Sequence, residues 1–99
     1  MDITLGQIVY SKAGRDFGRK FIVIGIIDET YLYISDGSLR RIEKPKKKKI
    51  KHLTMTIEVI EAIQMKLNKK EKVTNSEIRK ALNSKNFEVQ GYSEGDGGN

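Results

Sequence analysis

Apolar and polar positions follow two different rhythms along the chain. Up to about residue 53 the apolar residues come in short runs and alternations. Ile8, Val9 and Tyr10 form a brief β-prone run after Gly6. Arg19 to Ile27 is rich in β-branched residues and predicts a central, largely buried strand. Gly25 interrupts it, where a bulge or sharp bend is expected. Tyr31 to Ser35 alternates tyrosine with Leu32 and Ile34, a period of two. Asp36-Gly37 predicts a type I′ hairpin turn, with Leu39 to Ile42 as the returning strand. Pro45 ends that run. Lys46 to Lys49 is expected as a loop or extended edge, because adjacent like charges disfavour burial. Lys51 to Leu53 is expected as a last short strand that closes a small barrel.

From there the period becomes helical. Ile60, Ile63 and Leu67 recur at three and four residues, with Thr54 or Thr56 as the expected N-cap. A second start signal is more complete. Thr74 and Glu77 have capping-box spacing, and Val73 and Ile78 flank the cap as a hydrophobic staple. These predict a short helix from Asn75 to about Asn83, with Ile78 and Leu82 on its apolar face and Arg79 and Lys80 on the other. Beyond Ser84 the pattern is lost, and Gly91 to Asn99 holds four glycines in nine residues. The expected fold is mainly β with appended α. The expected units are a barrel over 1–53, a helical hairpin over 54–84 packed on the barrel or on a partner, and a flexible tail over 85–99.

Charge divides the chain at the same place. Of 99 residues, 19 are Lys or Arg and 13 Asp or Glu, a net charge of +6. Residues 1–52 hold 12 basic and 6 acidic side chains; residues 53–99 hold 7 of each. The first half therefore carries the whole excess, and Arg40 to Lys51 alone has eight basic residues and one acid, Glu43. Such a surface favours a polyanionic partner.

Several classes of chemistry find no support. There is no cysteine, and His52 is the only histidine, so neither a thiolate nor a histidine metal site is expected. The carboxylates form no evident acid–base pair, and Asp16 is expected to hold its loop through a turn or an ion pair. GRDFGR lacks the Gly-Lys-Ser/Thr ending of a P-loop. No catalysis and no cofactor are expected. The longest apolar run, Phe21 to Ile27, is far short of a bilayer span, and no leader of the secretory type is visible. A cytoplasmic location is expected, membrane contact is not, and the protein is expected to be monomeric in isolation.

The stretch from Leu5 to Ile27, LGQIVYSKAGRDFGRKFIVIGII, joins a short strand to a hydrophobic one through a loop of two glycines and three basic residues. It resembles the KOW motif, a strand-loop-strand unit of SH3-like barrels. With ISDG and LRRIEKPKKKKIKHL it is similar to the large-subunit ribosomal protein of the "fourteen-e" type and its small bacterial KOW-domain relatives. The similarity covers about residues 4–53. It implies an SH3-like barrel that binds RNA, typically ribosomal RNA, with Gly14 shaping the loop and Arg15 and Arg19 as basic positions presented by it. Phe17 departs from the basic or polar residue common there.

The residues themselves fit that expectation. A glycine loop lets backbone N–H groups approach a phosphate, arginine pairs with its oxygens, and lysine contacts release counterions. The expected RNA contacts are Lys12, Arg15, Arg19, Lys20, Arg40, Arg41, Lys44, Lys46, Lys47, Lys48, Lys49, Lys51 and His52, with Gly14 and Gly18 shaping the loop. Phe17 and Tyr33 are candidate stacking platforms for unpaired bases, with Tyr10 and Tyr31 as further exposed aromatics. The helical half is expected to meet the barrel or ribosomal proteins. The alternative is an SH3-like protein-interaction module linked to transcription or translation, its basic run meeting an acidic partner.

Overall fold

A computed structural model describes residues 3–83. Its order is β1 (Gln7–Ser11), β2 (Lys20–Ile26), β3 (Tyr31–Ser35), β4 (Lys46–Lys49), β5 (Leu53–Val59), α1 (Glu61–Asn68) and α2 (Asn75–Asn83). Short 3-10 turns occupy Gly14–Asp16 and Ile50–His52. The expected tail, 85–99, lies outside the described residues.

The five strands form one antiparallel sheet in the order β4-β3-β2-β1-β5. Lys49 ends one edge strand and Leu53 begins the other. Four virtual bonds reach at most about 14 Å. The edges of a flat five-stranded sheet would lie about 19 Å apart. The sheet must therefore curl, and two features assist it. The register shifts between Val23 and Gly25 on β2, as the glycine predicts, and between Gln7 and Val9 on β1. The curl stops short of the expected closed barrel, since β4 and β5 remain edges that do not pair with each other.

Strand parity then builds two cores. Val9, Phe21, Val23, Leu32, Ile34 and Leu53 fill the concave side. Ile8 and Ile22, one residue out of step, face outward and meet Ile63, Val73, Ile78 and Leu82 of the helical segment. This explains the unbroken apolar run of β2: its centre is covered on both faces.

Four sequence expectations are corrected. Residues 53–59 form a strand paired to β1, so the change from strand to helix comes at Ile60 rather than near Thr54. Thr56 caps no helix; its hydroxyl donates to the Ile8 carbonyl, 2.7 Å away, across the sheet. Leu39 to Ile42 is not a strand, because Asp36 closes the segment into a tighter loop. Its Oδ1 accepts from the N–H groups of Ser38 (2.9 Å) and Arg40 (2.8 Å). Gly37 alone of the pair has positive φ, so the type I′ turn does not form. Instead Gly37 lets α2 approach: a Cβ there would lie 2.5 Å from the Asn75 carbonyl oxygen. Lys46 to Lys49 is the strand that Leu39 to Ile42 was expected to supply.

The second helix follows its sequence signals. The Thr74 N–H donates to Glu77 Oε1 and the Glu77 N–H to Thr74 Oγ1, each at 3.1 Å. Val73 and Ile78 are both buried in the helix-side core. Lys66 of α1 pairs with Glu77, which ties the helices together. That hydrogen bond, with the one from Thr74, holds the Glu77 carboxyl below its ordinary range.

Candidate nucleic-acid interface

Three basic segments meet around the loop between β1 and β2. They are the loop itself (12–19), the 36–41 loop and β4. Two buried carboxylates join them. Asp16, 5% exposed, accepts from Arg40 Nη2 at 2.9 Å and from Nε at 3.3 Å. Asp36, 7% exposed, accepts from Arg19 Nη2 at 2.7 Å. Burial raises the Asp36 pKa, but the Arg19 hydrogen bond and the Arg40 and Ser38 N–H groups outweigh it, and the carboxyl sits below its usual range. Asp16 thus holds its loop by an ion pair as expected, with Arg40 as the partner.

The third connection is a lysine. Pairing of Ile34 with Lys46 and of Leu32 with Lys48 sets both lysines toward the concave side. Lys48 is consequently buried, and its Nζ donates to the Ala13 carbonyl at 3.1 Å. The stem covers apolar surface while the ammonium reaches the loop. The expectation that charge would keep the whole lysine run out of the interior therefore fails at Lys48.

Lys47 and Lys49 have the opposite parity and lie outside, opposite Tyr33 and Tyr31. Lys47 Nζ sits 4.6 Å from the centre of the Tyr31 ring, a cation–π contact. Tyr33 is 38% exposed, and a Cβ on its partner Gly25 would meet its ring carbon at 3.3 Å. No side chain at Gly25 therefore separates that ring from the sheet. The outer face of β3 and β4 is an aromatic strip bordered by cations.

At the loop tip, Lys12, Arg15, Phe17 and Gly18 are exposed, Phe17 at 71%. Gly14 and Gly18 both take positive φ, as a loop shaped by glycine requires. Arg41, Lys44 and Lys51 are exposed, and Arg41 lies 3.6 Å from Glu43. Lys46 and His52 are half-buried; the His52 carbonyl accepts the Lys12 N–H at 2.9 Å. Lys20 is half-buried on the outer face, where its Nζ donates to the Leu82 carbonyl at 3.3 Å. Arg19 and Arg40 reach the same region but are held by carboxylates.

Arg79 was not among the expected site residues, yet its Nη1 donates to the Gly37 carbonyl at 2.6 Å beside these segments. Helical spacing puts it off the apolar face of α2 but gives no sign of what that side meets. Among the described residues, no three His, Cys, Asp or Glu side chains are grouped to hold a metal ion, and no helix is long and apolar enough to cross a membrane.

The outer face of this small curled sheet is basic and bears tyrosines, and in sequence the chain is similar to ribosomal and ribosome-binding proteins. YbzG of Bacillus subtilis, whose name describes a ribosome-binding protein, is 32% identical over 71 residues, covering 72% of this chain and 96% of that protein. Large ribosomal subunit protein eL14 of Pyrobaculum aerophilum is 30% identical over 80 residues, 81% of this chain and 71% of that protein. The eL14 of Desulfurococcus amylolyticus is 37% identical over 54 residues, 54% of this chain and 56% of that protein. No protein-family model matches the chain. The chain belongs to the family of ribosomal-protein-like chains that includes eL14 and YbzG.

Proposed function

We propose that this protein is a non-catalytic RNA-binding protein that associates with the ribosome, as the names of its relatives suggest for them. The partner is ribosomal RNA, and the location is the cytoplasm. The β1–β2 loop acts as a KOW loop on an SH3-like sheet. Lys12, Arg15, Lys47, Lys49 and Lys51 neutralise phosphates, and Tyr33 and Phe17 stack on unpaired bases. Arg19, Arg40 and Lys48 act chiefly by holding the basic segments in place.

The observation that carries this reading is the convergence of three basic segments on Asp16, Asp36 and the Ala13 carbonyl, with Tyr33 exposed on the outer face of the same sheet. Like charges do not cluster without a compensating cause. Here buried carboxylates fix the backbone, and the remaining cations face solvent.

The test is sedimentation of the tagged protein from lysate on sucrose gradients at low and high salt, with the bound RNA sequenced. Co-migration with the large subunit that disappears at high salt is expected. About six phosphate contacts give a slope of log K against log salt of roughly −4 to −5. A flat salt dependence overturns the RNA reading. The protein-interaction alternative has one observation in its favour, an apolar groove between α1 and α2 lined by Ile60, Ile63 and Ala81. Co-purification that survives nuclease and high salt, with no enriched RNA, selects it.

A further inference from the structure

A cavity of about 400 Å³ opens where the C-terminal turn of α2 meets the paired residues Tyr10 and Lys20 of β1 and β2. Arg19, Ser38 and Arg79 complete much of its wall. It lies on the outer side of the sheet, and α2 contributes Arg79, Leu82 and Asn83 to its lining. Three cations line it, and Asp36 is the one carboxylate among its lining residues.

The two guanidinium groups are held in advance. Arg19 is fixed through Nη2 by Asp36. Arg79 is fixed through Nη1 by the Gly37 carbonyl, a neutral acceptor that leaves its charge uncompensated. Arg19 Nε is buried and has no hydrogen-bond partner among the described residues. A buried N–H without an acceptor is unusual, and beside a cationic cavity an anionic oxygen is the acceptor that suits it. Two oriented guanidiniums, with Lys20 and Ser38 also on the wall, give a net positive cavity with room for a phosphate group. A carboxylate ligand would use fewer of these donors.

We propose that this cavity seats a phosphate group of the RNA backbone, so that α2 binds RNA together with the β1–β2 loop. The inference rests on the RNA-binding reading for its ligand, and the experiment separates the two. The ¹⁵N-labelled full chain is titrated with inorganic phosphate, which needs no RNA. Saturable shifts of the Arg19 Nε–H and Ser38 amide signals are expected. Arg79→Gln should weaken the response at least tenfold, Arg79→Lys should weaken it less, and Lys80→Gln, on the exposed side of α2, should leave it unchanged. Non-saturating shifts, or equal responses in Arg79→Gln and the wild type, overturn the proposal. With a ribosomal RNA fragment, Arg79→Gln should reduce the salt slope by roughly 0.7 to 0.9. RNA binding without a phosphate response at Arg19 overturns the cavity and leaves the RNA reading standing. Phosphate saturation without RNA binding overturns the RNA reading, and with it the diester ligand.

Discussion

The outer face of the sheet is two different surfaces. Over β1 and β2 it carries Ile8 and Ile22, both fully buried beneath the helices. Over β3 and β4 it carries Tyr31, Tyr33, Lys47 and Lys49, and Tyr33 and Lys47 are exposed. The same alternation runs through all four strands, so the difference is one of cover. Where the helices cover the sheet most closely, the outward positions are the aliphatic Ile8 and Ile22, and only at the C-terminal turn of α2 do Tyr10 and Lys20 replace them. Where none lies, they are aromatic with a polar tip or cationic. The helices thus complete a second core over half of the face and leave the other half uncovered.

The sharpest break of that comparison is Ile78→Ala. It empties a fully buried site between α2 and the sheet and should cost about 3 kcal/mol in denaturant unfolding. A loss below about 1 kcal/mol would mean that the helices are not part of the core. Asp36→Asn should cost less, about 2 kcal/mol, by weakening its charged hydrogen bonds. The sign with pH follows from its lowered pKa. The Asp36 contribution is complete above the unfolded value near 4 and is lost as pH falls through the folded one. Wild type and Asp36→Asn should therefore converge in stability under acid. A constant difference down to pH 2 would remove the carboxylate from that role.

Lys48→Ala and Lys47→Ala sharpen the comparison, because adjacent lysines have opposite parity. Lys48→Ala should lower stability by about 1.5 kcal/mol, since it removes a buried ammonium that holds the Ala13 carbonyl. Lys47→Ala should leave stability within about 0.5 kcal/mol. It should instead reduce the RNA salt slope by roughly 0.7 to 0.9, read by fluorescence anisotropy. The reverse assignment would show that the β4 register is wrong.

Much of the second helix was legible because its signals are local. The cap at Thr74 and Glu77 and the staple at Val73 and Ile78 act within five residues, and the chain adopts them where they occur. The bulge at Gly25 was legible for the same reason. The segment 54–59 is strand rather than helix start; its β-branched residues beside a helical period suit either state. Pairing with β1 decides that segment. Leu39 to Ile42 failed in the other direction: the Asp36 carboxylate offers its backbone nearer partners than a strand does.

The candidate site was legible as composition more than as geometry. The sequence by itself determined that a basic first half joins a neutral helical half, that Gly14 and Gly18 sit in a cationic loop, and that the tyrosines alternate with aliphatic residues. These are properties of residue type and near spacing. Tertiary structure alone decided that Asp16 reaches Arg40, that Asp36 reaches Arg19, that Lys48 is buried while Lys47 is not, and that Arg79 joins the basic region. Each of these depends on strand register or on where α2 lands on the sheet. Alternation along a strand says which residues share a face, but which strand pairs with which, and where α2 lands, are long-range choices that the local pattern leaves open.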